Sequence, residues 1–238
     1  MQTLIDSTGP FQLPTHWGEV TTAQFCAVDP LPTAEARASY FAGRPIQVNG
    51  LVADALAWML SAPPLGGGLP YPQDLGQESY LQVETIRTLL TTQPLHECVG
   101  AVYGTFVARD SYSRDTQAFD PTVADRRAKR CQPWPITDTW PAVAHCLAEL
   151  QRLATKYAEL SEPDPTEAAR RAKEAGADEL LGIFGHFNVA RALAERSGRT
   201  IDEVYALPFE TVCVYLLHDR RTAILSDTIQ RNASKAHE

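Results

Sequence analysis

Apolar side chains recur at steps of three and four residues through much of the C-terminal half of the chain. One series occupies residues 140–157 and another residues 180–194, with Gly198 placed to end the second. This spacing puts the apolar side chains on one face of an α-helix. A third apolar face begins at Pro208, and the polar tail from residue 231 onwards is expected to fray. The pattern therefore predicts a series of amphipathic helices.

The stretch "LPTHWGEVTTAQF" predicts a sharply defined helix start. Thr21 and Gln24 fit a capping box, in which each side chain accepts a hydrogen bond from the backbone N–H of the other residue. Val20 and Phe25 fit the hydrophobic staple that accompanies such a box. We expect Trp17 to pack on this staple, so the segment indicates how the N-terminus docks and carries no ligand signal.

Two further helix starts carry similar signals. Asp164 is expected to cap a helix whose first residue is Pro165, because proline lacks the N–H that would be unsatisfied there. That helix is mostly polar and is predicted to be short and exposed. Thr200 and Glu203 form a second candidate capping box.

A pair of glycines lies within a predicted helix near residue 100. Gly100 and Gly104 are four residues apart, in a segment whose apolar face includes Cys98 and Phe106. Residues three or four apart lie on the same side of a helix. The spacing therefore predicts that another helix approaches closely at this point.

Three segments lack the spacing that predicts a helix. Residues 63–77 contain four prolines and four glycines and are predicted to form an exposed loop. They have neither the lysine of a phosphate-binding P-loop nor the glycine spacing of a dinucleotide-binding loop. Residues 111–137 are polar and poorly periodic, which favours a long loop or mobile insert. Residues 44–50 alternate before an Asn-Gly turn, so a short strand is expected there.

The expected fold class is mainly α, an irregular bundle of about eight to ten helices with Pro- and Gly-rich loops and at most a short β element near 44–50. We expect an N-terminal helical lobe over 1–110, the polar loop or insert over 111–137, and a C-terminal helical lobe over 138–238. One continuous domain is the alternative.

Composition and charge narrow the classes of function. The net charge of −8 over 238 residues disfavours general affinity for nucleic acid, which requires concentrated lysine and arginine. The basic run "RRAKR" at 126–130 is interpreted as a solvated helix face or loop, with an anionic partner as the alternative. No apolar run approaches the ~20 residues of a membrane span, and the N-terminus has no signal-peptide pattern. Five cysteines without metal spacing indicate reduced thiols and a cytoplasmic protein.

No constellation of residues in the sequence identifies a catalytic, cofactor or metal site. His96 and Cys98 are two apart on a predicted helix and would point to different faces. His145 is followed by a cysteine, and the same objection applies to that pair. His186 lies beside Phe187 and is interpreted as a surface or satisfied histidine rather than a ligand. We therefore expect no catalytic, cofactor-binding or metal-binding residues, and an enzyme with an unrecognised site around His96 and Tyr103 is the least favoured alternative.

Two stretches resemble a known group of proteins. Residues 13–25, "LPTHWGEVTTAQF", and residues 182–217, "GIFGHFNVARALAERSGRTIDEVYALPFETVCVYLL", are similar to tail-assembly chaperones and tail accessory proteins of tailed phages and prophages, especially from Bacteroidota-type hosts. The resemblance implies a non-enzymatic assembly factor without catalytic residues or cofactors. It would bind a tail or tape-measure protein through a helix-lined apolar surface in the host cytoplasm.

The resemblance leaves one alternative open within the same class. The chain would then be a structural subunit of a phage tail, baseplate or related contractile injection particle, and would be found in the virion. Both interpretations involve a protein partner and neither involves nucleic acid or a membrane. The oligomeric state stays open in both.

Overall fold

The computed structural model describes residues 1–6, 9–14, 16–43, 74–107 and 119–235. These residues form eleven α-helices and one two-stranded β-sheet, which confirms the mainly α prediction. The strand expected at 44–50, and residues 63–73 of the predicted loop, lie outside the described residues. Four short 3₁₀ turns connect the helices, at Trp17–Glu19, Leu75–Gln77, Ala158–Ser161 and Gly182–Phe184.

The α-helices are numbered in chain order over the described residues. They are α1 (Thr22–Val28), α2 (Ala34–Ala42), α3 (Tyr80–Thr92), α4 (Leu95–Phe106), α5 (Pro121–Cys131), α6 (Ile136–Lys156), α7 (Glu167–Glu174), α8 (Ala177–Leu181), α9 (Gly185–Ser197), α10 (Ile201–Ala206) and α11 (Phe209–Lys235). The last helix includes Arg231 to Lys235, which the sequence analysis expected to fray.

The β element of the described chain is an N-terminal hairpin that the sequence analysis did not predict. Strand β1 (Gln2–Asp6) pairs antiparallel with β2 (Gly9–Leu13), and the register runs from the Gln2 and Leu13 pair to the Asp6 and Gly9 pair. Strands of five residues offer few positions at which alternation can be recognised. The pairing between them, rather than a local pattern, defines this element.

The described residues form two compact units, and each unit is built from two segments of the chain. The first contains the described residues within 1–73 and 85–147, and the second contains those within 74–84 and 148–238. The borders between units therefore fall within α3 and α6, whereas the sequence analysis placed its division at 111–137.

In the first unit, α4 supplies much of the core and packs against α1 and α5. Its fully or almost fully buried side chains are Cys98, Val99, Val102, Tyr103 and Phe106. The backbone of α5 lies so close to α4 that an added Cβ at Gly104 would meet the carbonyl oxygen of Ala124 at 2.5 Å. The predicted close helix contact is confirmed.

Residues 111–137 were expected to form a loop or insert, and for residues 121–131 that prediction is wrong. Asp120 begins α5 by accepting a hydrogen bond from the Thr122 backbone N–H at 2.7 Å. Only Ala124 and Cys131 of this helix are buried. Two buried positions in eleven residues leave almost no apolar periodicity, so the helix was invisible to pattern analysis. The helix α6 also begins within the predicted insert, at Ile136.

The start of α1 matches its sequence signals. Thr21 and Gln24 form both bonds of the capping box, at 2.9 and 3.2 Å. The ring centroids of Trp17 and Phe25 are 5.6 Å apart in an edge-to-face contact, as expected for packing on the staple. The structure adds a long-range connection, because the Ile136 N–H donates to the Val20 carbonyl at 2.7 Å. The residues before α1 and those before α6 are therefore tied together.

The second unit has a smaller core, to which α6, α9, α10 and α11 contribute. Its buried apolar side chains include Leu75, Tyr80, Leu153, Leu193, Val204, Phe209 and Val212. The predicted exposed loop over 63–77 is wrong for its last residues, because Leu75 and Gly76 are buried.

A charge network holds the Leu75–Gln77 turn in place. The Leu75 N–H donates to a carboxylate oxygen of Glu149 at 3.2 Å. Arg152 donates to Asp74 at 2.8 Å and to Glu149 at 2.9 Å. Glu210 packs over Gly76, where an added Cβ would lie 2.5 Å from its Cγ. These contacts connect the turn to α6 and α11.

The helix after the "SEPDP" segment starts two residues later than predicted. Thr166, not Asp164, is the N-cap of α7, and its hydroxyl accepts from the Ala169 N–H at 3.2 Å. Asp164 accepts from the Thr166 N–H at 2.9 Å and so supports the turn that leads into the helix. The described side chains of α7 lie outside the core, as expected.

Candidate functional site

Four large apolar side chains of the second unit are exposed within a run of eight residues. The exposed fraction is 69% for Leu180, 53% for Leu181, 47% for Phe184 and 39% for Phe187. Single exposed apolar residues are common on proteins, but a local group of large ones is typical of an interaction site. We call these four side chains the apolar surface.

The apolar spacing predicts one amphipathic helix that contains these residues and extends to residue 194. The structure has three pieces instead: α8, the Gly182–Phe184 turn and α9. The break follows Phe184, where Gly185 takes φ of 42°, a value that residues with a Cβ rarely adopt. Only the later apolar positions, Ala190, Leu193 and Ala194, turn towards the core.

The backbone around the apolar surface is unusual at both ends. Gly176 precedes α8 with φ of 78°, and Gly185 follows the 3₁₀ turn. Between them, the Asn188 side-chain amide donates to the Leu181 carbonyl at 2.8 Å. An open hollow of about 380 Å³ lies here, lined by Ala177, Leu181, Gly182, Gly185 and Asn188.

His186 of α9 contacts a group of aromatic side chains. The His186 ring lies 5.9 Å from the Tyr205 ring, measured between centroids. Tyr205 stacks on Tyr80 at 6.4 Å, and Tyr80 stacks on Phe209 at 6.0 Å. His186 is therefore a packing residue of the second unit, in agreement with its interpretation as a satisfied histidine.

Local signals define the end of α9 and the start of α10. Gly198 ends α9 in the left-handed conformation, as predicted, with φ of 68°. The Thr200 N–H donates to the Glu203 carboxylate at 2.7 Å, and the Glu203 N–H donates to the Thr200 hydroxyl at 3.2 Å. The second predicted capping box is confirmed, and it begins the helix that carries Tyr205.

Several charged side chains on the helices before and after the apolar surface pair with one another. Arg191 pairs with Glu195 at 2.8 Å on α9. On α7, Arg170 and Arg171 both contact Glu167, and these two guanidinium groups lower the pKa of the Glu167 carboxyl to about 2. Charges paired in this way satisfy each other on the solvent side.

A second set of exposed apolar residues lies on α11. Val214 and Leu225 are 54% and 60% exposed, and Ile229 is 59% exposed. Arg220 of the same helix donates hydrogen bonds to the carbonyl oxygens of Glu162 and Pro163, each at 2.9 Å. These bonds connect α11 to the segment that precedes α7. This set is spread over sixteen residues from Val214 to Ile229 and is interrupted by charged positions.

Of the residues considered for an enzymatic site, Cys98, Tyr103 and His145 have described side chains. Cys98 and Tyr103 are buried in the core of the first unit, where burial raises the pKa of the Tyr103 phenol to about 12. The His145 ring packs on Phe106, with centroids 6.1 Å apart. His96 lies in α4, and its side chain is outside the described part of the structure.

The remaining features are possible metal ligands, the basic run at 126–130 and helix length relative to a membrane. Within the described residues, no three His, Cys, Asp or Glu side chains group so as to hold a metal ion. The basic run forms part of α5, where Arg126, Lys129 and Arg130 are exposed, as expected for a solvated helix face. None of the described helices combines the length and the apolar character that a membrane span requires.

Comparison with protein-family models, with curated proteins and with solved structures finds no match for this chain. The resemblance at residues 13–25 and 182–217 therefore stays a prediction.

Proposed function

We propose that this chain is a non-enzymatic binding protein whose apolar surface docks an apolar segment of another polypeptide. The observation that supports the proposal is the exposure of Leu180, Leu181, Phe184 and Phe187 within eight residues. Water is a poor solvent for such a group, and covering it with apolar side chains is favourable. An apolar helix of a partner is suited to covering the apolar surface, because the partner's own exposed apolar face is also unfavourable in water.

The free energy gained by covering the apolar surface indicates how extensive the contact with the partner must be. Full burial of a Leu or Phe side chain is worth roughly 1.5–3 kcal/mol, so covering four half-exposed ones yields about 4 kcal/mol. Association itself costs roughly 4–15 kcal/mol in lost freedom of motion. The apolar surface alone therefore supports only weak binding. A stable complex requires a longer partner segment that also contacts other parts of the chain.

The partner class follows from the resemblance. The segment at 182–217 includes Phe184 and Phe187, so half of the apolar surface lies in the resembling region. We propose a phage tail or tape-measure protein as the partner, and assembly in the host cytoplasm as the setting. A tape-measure protein is long and helical, and its apolar stretches need cover before the tail is built.

The test is co-expression with candidate tail proteins, followed by co-purification on a tag carried by this chain. Leu180→Glu introduces a charge into the apolar surface and should reduce the captured partner at least tenfold. Leu225→Glu is the matched control, because it makes the same change at a similarly exposed leucine of α11. Equal capture by both variants would assign binding to another surface, and capture of no tail protein by the parent chain would refute the proposed partner class.

A further inference from the structure

The two units share the way in which their first helix begins. A 3₁₀ turn comes first, and the side chain before the turn accepts a hydrogen bond from a glycine N–H: His16 from Gly18 at 3.1 Å, and Asp74 from Gly76 at 2.9 Å. A hydroxyl residue stands three positions after each glycine, and a glutamine three positions after that. The hydroxyl caps α1 in the first unit and α3 in the second. The same local motif therefore occurs in both units.

A pair of backbone hydrogen bonds joins each of these helix starts to a segment far along the chain. In the first unit, the Thr22 N–H donates to the Trp134 carbonyl at 2.7 Å, and the Ile136 N–H donates to the Val20 carbonyl at 2.7 Å. The second unit has the equivalent bonds at 2.8 and 2.9 Å, from Tyr80 to Leu207 and from Phe209 to Glu78. We call each pair of bonds a clip, and each clip lies within its own unit.

The helices around the two clips also match. Each clip surrounds a proline, Pro135 or Pro208, that directly precedes a long helix, α6 or α11. Before each proline, two consecutive helices pack together, α4 with α5 and α9 with α10. The stretches "HECVGAVYG" of α4 and "HFNVARALA" of α9 share a histidine and a valine at the same spacing. Small residues occupy equal positions in both stretches and are buried, namely Gly100, Gly104, Ala190 and Ala194.

We infer that the two units are copies of one module, and that each copy is closed by a clip that opens independently of the other. A shared cap alone is common among helices. Here a turn, a cap, a clip and a packed helix pair recur in the same order, which local propensity does not explain. Each clip joins only residues of its own unit, and each unit has its own core, so the clips belong to separate cooperative regions. This inference does not depend on the proposed function.

Amide hydrogen exchange on the full-length chain tests the independence of the clips. Thr21→Ala removes the cap beside the first clip and should speed exchange of the two donor amides of that clip by about fivefold, the usual effect of losing an N-cap. Ser79→Ala is the matched variant of the second unit and should have the same effect on the second clip. After correction for intrinsic rates, each variant should leave the donor amides of the other clip unchanged.

The equivalence of the two copies is tested by exchanging their caps. The double variant with Thr21→Ser and Ser79→Thr gives each unit the cap of the other, and both clips should stay as protected as in the parent chain. Three results would overturn the inference: acceleration of both clips by either alanine variant, acceleration of neither clip by both of them, or exchange in the double variant as fast as in the alanine variants.

Discussion

Gly104→Ala tests whether the close contact of α4 and α5 stabilises the first unit. A Cβ at Gly104 would lie 2.5 Å from the Ala124 carbonyl oxygen and 2.6 Å from the Ala128 backbone nitrogen. Both atoms belong to the backbone of α5, so no side-chain rotation relieves the overlap. The two helices would have to separate by about 1 Å to restore ordinary contact distances, which loosens the core between them.

Two opposing contributions set the change in the free energy of unfolding that Gly104→Ala causes. Alanine is favoured over glycine within a helix by about 1 kcal/mol. Over-packing a tight core costs typically 1–3 kcal/mol, and here the obstacle is rigid, so the upper end applies. We expect Gly104→Ala to lower the free energy of unfolding by about 1–2 kcal/mol, equivalent to a drop in melting temperature of roughly 2–8 °C for a chain of this size.

Urea unfolding followed by tryptophan fluorescence measures this effect. Three of the four tryptophans, Trp17, Trp134 and Trp140, lie in the first unit, so most of the signal reports on that unit. Gly100→Ala is the control: its Cβ would meet the side-chain nitrogen of Gln132 at 2.5 Å, an atom that can move away. It gains the same helix propensity and should stay within about 1 kcal/mol of the parent. A Gly104→Ala midpoint equal to or above that of Gly100→Ala would refute the reasoning.

Two further predictions concern the first unit. Thr139→Val removes the hydroxyl that lies 3.0 Å from the Thr22 hydroxyl in the core, and should lower the free energy of unfolding by about 1 kcal/mol in the same urea assay; unchanged stability would show that the pair contributes nothing. Burial raises the pKa of the Cys26 and Cys131 thiols from 9.0 to about 11. Their neutral forms therefore contribute stability that is complete below pH 9 and is lost as the pH rises through 11. The urea midpoint should fall over this range and fall less in Cys26→Ala, and an identical fall in that variant would contradict the assignment.

Helix boundaries set by neighbouring residues could be predicted from the sequence. The boxes at Thr21 with Gln24 and at Thr200 with Glu203 formed as expected, and Gly198 ended α9 in the left-handed conformation. These signals lie within one helical turn, so the groups that interact are already adjacent in the chain. Gly100 and Gly104 of α4 were also informative, because a closely packed neighbouring helix explains why two glycines share one helix face.

Elements that depend on distant parts of the chain were missed. The helix α5 has only two buried positions, Ala124 and Cys131, and its partner α4 lies earlier in the chain. The placement of the Leu75–Gln77 turn could not be foreseen either, because it depends on contacts with Glu149 and Glu210 from two other helices. In both cases the local sequence is polar or rich in glycine and proline, and tertiary contacts override that local preference.

By itself, the sequence determined that the chain is mainly helical, where several helices begin and end, and that residues 180–194 carry an apolar face. It did not determine whether that face is covered. The tertiary structure decided this point: Gly185 divides the helix, Ala190 and Leu193 turn inward, and Leu180 and Phe184 stay exposed. Periodicity specifies only which side chains share a face, whereas their exposure depends on which other segments of the chain reach them.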